Sequence, residues 1–240
     1  MTWVNWGGVL LTQKNTEEAV AKFRKAIEAD PNQAMAYNNW GIVLAQQKMY
    51  DEAILKYRKA IELDPTNYNT SLTYLNWASI LFDQGKYYEC IAKCQEALKL
   101  NPGMANAYFS WGLALLREKK WAEAIAMFER AIALYPNYPE AYVSWGSALH
   151  AQRAYDDAIG KYQKAVSINP QMAVAFIDWG AALCAEKKYD QAIEMCQKAI
   201  ELDPNSADAY SNWAKAMEAQ GNRSGAQAMF AKARDLSTSK

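Results

Sequence analysis

The residues best suited to chemistry recur at one fixed distance. His150, Cys184 and Glu218 stand 34 residues apart, so in a periodic chain they hold equivalent places in three successive units. Imidazole, thiolate and carboxylate together form a donor set for zinc. Against that, His150 is the sole histidine, which leaves hydrolytic triads and multi-histidine centres without material. No Gly-rich phosphate loop occurs either. The expectation is that the three are ordinary surface residues, that the protein is not an enzyme, and that it takes no cofactor and no metal. Cys90 and Cys94 fall one helical turn apart, with β-carbons about 5–6 Å from each other where a disulfide needs ~3.8 Å. They read as buried free thiols.

A second set offers hydrogen bonding in place of catalysis. Tryptophan returns at positions 6, 40, 77, 111, 145, 179 and 213, and the residue before each one is polar: Asn5, Asn39, Asn76, Ser110, Ser144, Asp178 and Asn212. The asparagine amide offers one acceptor and one donor group, which can bond both the C=O and the N–H of an extended peptide. The alternative is that these residues cap or bridge neighbouring helices, or face water.

The elements that must position them follow from the spacing. Tyr37, Trp40, Gly41 and Leu44 recur at three- and four-residue steps, which puts them on one helical face. The run 51–63 repeats the pattern with Ala53, Ile54, Tyr57, Ala60 and Ile61, and acidic pairs such as Asp51 and Glu52 open it, as suits a helix N-terminus. Prolines 31, 65, 102, 136, 170 and 204 mark the turns between units. Each unit is a helical hairpin, and the reading places each indole inside its own hairpin.

This pattern of aromatic, small residue, Ala, aromatic and Pro every 34 residues resembles the tetratricopeptide repeat. The departures are Trp where the family favours Leu, Ala78 and Ala214 in place of Gly, and Cys90, Cys94 and Cys196 at core positions. The resemblance implies an all-α fold, a right-handed superhelical solenoid of seven helix-turn-helix repeats. Residues 1–240 form a single array on this reading, with repeats near 1–33, 34–67, 71–104, 105–138, 139–172, 173–206 and 207–240 and a three-residue insertion at 68–70. The insertion either lengthens the following helix at its start or lengthens the turn, with Asn67, Asn69 or Ser71 as cap; a tolerated loop insertion is the simplest account.

The polar series before the tryptophans is similar to the asparagine ladder lining the repeat superhelix of O-linked N-acetylglucosamine transferase, where such residues hold a peptide backbone. The carry-over fits Asn5, Asn39, Asn76 and Asn212 better than Ser110, Ser144 and Asp178. On the face opposite the tryptophans, Leu75, Phe109, Val143 and Ile177 make the wall apolar, whereas the seventh unit presents Asp208, Ser211, Lys215 and Glu218. Repeats that grip chaperone C-termini resemble one another in inward Lys, Arg and Asn residues, and no such basic cluster is present.

Composition narrows the partners. Lys plus Arg equals Asp plus Glu at 26 each, which removes the signature of a nucleic-acid binder. No apolar run is long enough for membrane insertion or a secretory signal, so the reading is a cytoplasmic protein. Trp3 opens inside the first core pattern and the sequence ends soon after Phe230, Ala233 and Leu236, without the solvating caps that solenoids need. The expectation is a fragment of a longer protein, or ends covered by another copy. The function expected is a non-catalytic scaffold binding a peptide segment or partner protein in a concave groove. The alternatives are a self-assembling module, a homo-oligomer through its terminal repeats, or the substrate-recruiting region of a larger enzyme.

Overall fold

The computed structural model describes residues 2–238, and the protein divides into two compact units, residues 1–118 and 119–240. The first unit contains α1 (Trp3–Thr12), α2 (Thr16–Ala29), α3 (Ala34–Gln46), α4 (Tyr50–Leu63), α5 (Tyr68–Asp83), α6 (Tyr87–Leu100) and α7 (Ala105–Arg117). The second contains α8 (Trp121–Leu134), α9 (Pro139–Ala151), α10 (Tyr155–Ile168), α11 (Ala173–Ala185), α12 (Tyr189–Leu202), α13 (Ala207–Ala219) and α14 (Arg223–Thr238). No strand occurs among the described residues. The odd-numbered helices are the first helices of seven repeats and the even-numbered ones the second.

Within each unit the connectivity is local. A first helix packs on its own second helix, on the second helix before it, and on the neighbouring first helices, as α3 does on α4, α2, α1 and α5. Helices of 13 or 14 residues are marginal alone in water, so this stacking carries them. The N-caps of α4, α6, α8, α10 and α12 are Met49, Lys86, Lys120, Ala154 and Lys188, none of which caps through its side chain. Acidic residues in the first turn, such as Asp51 with Glu52 and Asp156 with Asp157, meet the free N–H groups' positive end instead.

The most buried large side chains are Phe23 of α2, Tyr57 of α4, Phe128 of α8 and Tyr162 of α10. Phe23, Tyr57 and Tyr162 each lie against the glycine of the paired first helix, at Gly7, Gly41 and Gly146. In the second unit this packing joins one core that runs from Val143 to Ala216.

The tryptophans depart from the expectation. Trp6 is 42 % exposed and Trp3 39 %, and the other five of the series beyond Trp40, like Trp40 itself, are half-buried. Trp40 does not stay inside its own hairpin: it packs on Leu10 and Phe23 of the preceding repeat as well as on Leu44 and Tyr57 of its own. A ring shared between two bricks keeps one face toward the outside, and cations cover it. Lys56 Nζ lies 3.9 Å from the ring centre of Trp40, Lys93 4.1 Å from Trp77, and Lys161 3.6 Å from Trp145. The signal was present in the sequence, since a lysine follows four of the tryptophans by sixteen residues, at Lys22, Lys56, Lys93 and Lys161.

The insertion lengthens the helix and not the turn, which keeps four residues at 64–67 as at 30–33 and 101–104, so the loop-insertion account is overturned. Helix α5 has 16 residues where α3 and α7 have 13, so the extra residues are helical. Asn67 caps the added turn, its side-chain oxygen accepting from the Asn69 N–H at 3.0 Å.

Candidate functional site

Three first helices of the first unit, with the turns before them and the end of α4, line an open cavity of about 720 Å³. Helix α1 contributes Asn5, α3 contributes Asn38 and Asn39, and the lengthened α5 contributes Asn69, Thr73 and Asn76. The volume lies within the range of natural ligand sites. Its polarity comes from amides and hydroxyls, and among the described residues Asp64 is the one charged residue of the lining.

The amides are ordered by a network that spans two repeats. Asn38 Oδ1 accepts from Thr73 Oγ1 at 3.0 Å and from Asn76 Nδ2 at 3.4 Å, while Asn38 Nδ2 donates to Asn39 Oδ1 at 3.2 Å. Thr73 Oγ1 also reaches the carbonyl of Asn69, one turn back along α5, at 3.2 Å. These bonds use one end of each ladder amide. The Asn39 NH2 and the Asn76 side-chain oxygen keep no partner among the described residues. One donor and one acceptor are therefore held half-buried on adjacent helices, the complement of a backbone C=O and N–H. Sequence reasoning missed Asn38 and Thr73 as organisers of this network.

The remaining residues of the sequence-derived site are placed differently. Leu75 packs against Cys90 and Cys94 on one side and against Leu98 and Met104 on the other. Phe109 and Ser110 are half-buried on α7 and lie outside the cavity lining. In the second unit Val143 is 8 % exposed and forms part of the core, and Ile177 packs on that core. Ser144 is half-buried on α9. Asp178 Oδ2 accepts from Ser147 Oγ at 3.3 Å, and Asn212 bridges α13 to α11 by donating to the Ile177 carbonyl at 3.4 Å. Burial pushes the Asp178 carboxyl up to about 6, against the Ser147 hydrogen bond and with the help of the Asp208 charge.

The candidate zinc donors sit in ordinary contacts. His150 rests against Tyr155 with ring centres 5.2 Å apart, and burial lowers its pKa. Cys184 Sγ reaches the Asn212 carbonyl at 3.9 Å, and Glu218 is exposed. Among the described residues no group of three or more His, Cys, Asp or Glu side chains is placed to hold a metal ion. Cys90, Cys94 and Cys196 are free and buried, and burial holds the Cys196 thiol up at about 12, far from a reactive thiolate. Among the same residues no helix is long and apolar enough to cross a membrane.

Comparison with known proteins adds the family. The tetratricopeptide repeat model matches residues 5–68 and 111–173, together more than half of the sequence. This chain belongs to the tetratricopeptide repeat family. A further tetratricopeptide repeat model matches residues 180–221, and the model described as anaphase-promoting complex, cyclosome, subunit 3 matches residues 46–131. No curated protein matches the sequence. Among solved structures, this tetratricopeptide repeat protein is similar to pilF of Pseudomonas aeruginosa, with 26 % identity over 86 % of this chain and 93 % of that one and a TM-score of 0.75. It is also similar to YrrB, whose structure is described as a tetratricopeptide repeat protein with an unusual peptide-binding site, with 25 % identity, 78 % and 95 % coverage and a TM-score of 0.62. The Cut9 and Hcn1 hetero-tetramer of the anaphase-promoting complex shares the fold at 20 % identity, covering 90 % of this chain and 42 % of that one with a TM-score of 0.76. Scaffold folds of this kind are typical of protein–protein interaction modules.

Proposed function

We propose that this protein is a non-catalytic scaffold that holds an extended peptide segment of a partner protein in the asparagine-lined cavity of its first unit. The observation that carries the reading is the pair left unused by the network, the Asn39 NH2 and the Asn76 side-chain oxygen, fixed on neighbouring helices by Asn38 and Thr73. Preorganised amides lose little freedom when a guest arrives, so each bond to the peptide backbone retains its strength. Asn5, exposed on α1 at the cavity's other side, extends the series by one repeat. The likeness to YrrB, a protein described by its peptide-binding site, supports the same reading. Backbone bonding supplies affinity, and the side-chain surfaces of Met35, Ile42 and Leu72 supply apolar contact.

The test is an array of randomised, end-blocked hexapeptides probed with the full-length protein. The wild type should retain a defined subset, and the Asn39→Ala/Asn76→Ala double variant should bind that subset about tenfold more weakly, the loss expected for two hydrogen bonds. Its thermal unfolding should stay close to wild type. A wild-type protein that retains no peptide, or a double variant that binds as well, overturns the proposal.

A further inference from the structure

Four of the six turns that join a second helix to the next repeat share a device, and of the other two the turn after α8 has Tyr135 in that place, which has no side-chain oxygen positioned for it. Asp30 Oδ1 accepts from the Asn32 N–H at 3.0 Å, Asn101 Oδ1 from Gly103 at 3.1 Å, Asn169 Oδ1 from Gln171 at 3.1 Å and Asp203 Oδ1 from Asn205 at 3.0 Å. In each the side chain accepts from the residue two positions on, an Asx turn that ties the oxygen to its own backbone. Asp64 occupies the same place after α4, and there the device is broken. The turn keeps four residues, as after α2 and α6, yet the bond that would tie Asp64 to residue 66 is not made. Thr70, one of the three inserted residues, donates its hydroxyl to the Asp64 backbone carbonyl, and the carboxylate has no hydrogen bond or ion pair among the described residues. Lys59, the basic residue nearest before it on α4, is engaged with Glu62 at 2.9 Å.

Asp64 lies in the wall of the amide-lined cavity, is half-buried, and is the sole charged residue of that wall among the described residues. A partly desolvated carboxylate without a partner favours any cation that can reach it. We infer that the insertion turns a structural turn residue into a selectivity element, so that the cavity takes peptides carrying a Lys or Arg side chain opposite Asp64. The inference rests on the peptide-binding reading above and adds the charge of the guest. It also sets this site apart from a clamp for a terminal carboxylate, since a negative group on the guest would meet Asp64 and no Lys or Arg in the lining.

The experiment compares wild type, Asp64→Asn and, as a control at an intact turn, Asp203→Asn on the hexapeptide array. Wild type and D203N should select peptides with Lys or Arg at one fixed position. D64N should keep the rest of the motif and lose that position. In solution, replacing the basic residue of a selected peptide by Met should weaken binding to wild type about tenfold and leave binding to D64N unchanged. A motif without a basic position, or one that D64N leaves intact, overturns this inference while the peptide-binding reading stands. If no peptide is retained by the wild type, both fall together.

Discussion

A methyl group on Gly41 would lie 2.5 Å from Cε1 of Tyr57. The backbone of α3 and the ring of α4 are thus in direct contact, and the bareness of one residue is what admits the bulk of the other. The same relation holds between Gly146 and Tyr162, where the distance is again 2.5 Å. Where the first helix has Ala78, the facing residue is small, Cys94, and both are fully buried. Between these limits, a methyl on Gly180 would meet Cys196 Sγ at 3.1 Å. In these repeats the two positions are matched in size, and the seventh, with Ala214 and Phe230, departs from the match.

Gly41→Ala should therefore lower the free energy of unfolding by about 1–3 kcal/mol through overpacking. Combining it with Tyr57→Cys recreates the Ala78 and Cys94 pair. Urea unfolding of the two single variants and the double should show the double less destabilised than the sum by at least about 1 kcal/mol. Additive losses would mean that the fit between the two positions is incidental.

Asp178 gives a pH-dependent prediction. Its folded pKa of about 6 lies above the ordinary carboxylate value, so the native state binds this proton more tightly than the unfolded state. The contribution is favourable below the unfolded value near 4 and is lost as pH rises through 6. Asp178→Asn keeps an oxygen to accept from Ser147 and removes the buried charge, so it should stabilise the protein at pH 7.5 by up to about 3 kcal/mol. At pH 4 the gain should vanish. Equal effects at both pH values in denaturant titrations would remove burial of the charge as the cause.

Deleting residues 68–70 should return α5 to the 13 residues of α3 and α7. The Asp64 carboxylate then regains the backbone N–H at residue 66, and Asn69 and Thr70 leave the cavity wall. Helical content should change by only the deleted turn in circular dichroism, while retention of peptides on the array should be lost. A shortened protein that selects the same peptides would show that the added turn has no part in recognition.

Much of the architecture was readable because one constraint repeats. Apolar residues at three- and four-residue steps, prolines at a constant offset and the small residue, Gly or Ala, after each tryptophan of the series all report local geometry, and local geometry is what a helical period encodes. The errors arose where a second brick decides the environment. A helical wheel assigns Trp40 a face, but the depth of its burial depends on how far Leu10 and Phe23 of the previous hairpin cover it. Val143 and Ile177 likewise stand on the face opposite the tryptophan, and contacts from the neighbouring repeats put Val143 into the core and Ile177 against it. Asn38 is partnered by Thr73, which stands where the neighbouring repeats have Ala36 and Ala107, so the bond depends on one residue that the repeat pattern does not single out. The Asp64 carboxylate could have been anticipated by comparing the residue after each second helix, since it alone precedes an insertion.

The added turn of α5 also bears on addressing. A strand laid along identical modules could slip by one module and find the same bonds again, so uniform repeats cannot tell a visitor where to stop. On the proposed peptide-binding reading, one longer module abolishes that degeneracy: a sequence that fits beside α5 has a single alignment in the first unit, and every residue on either side of it is thereby counted from a fixed milestone.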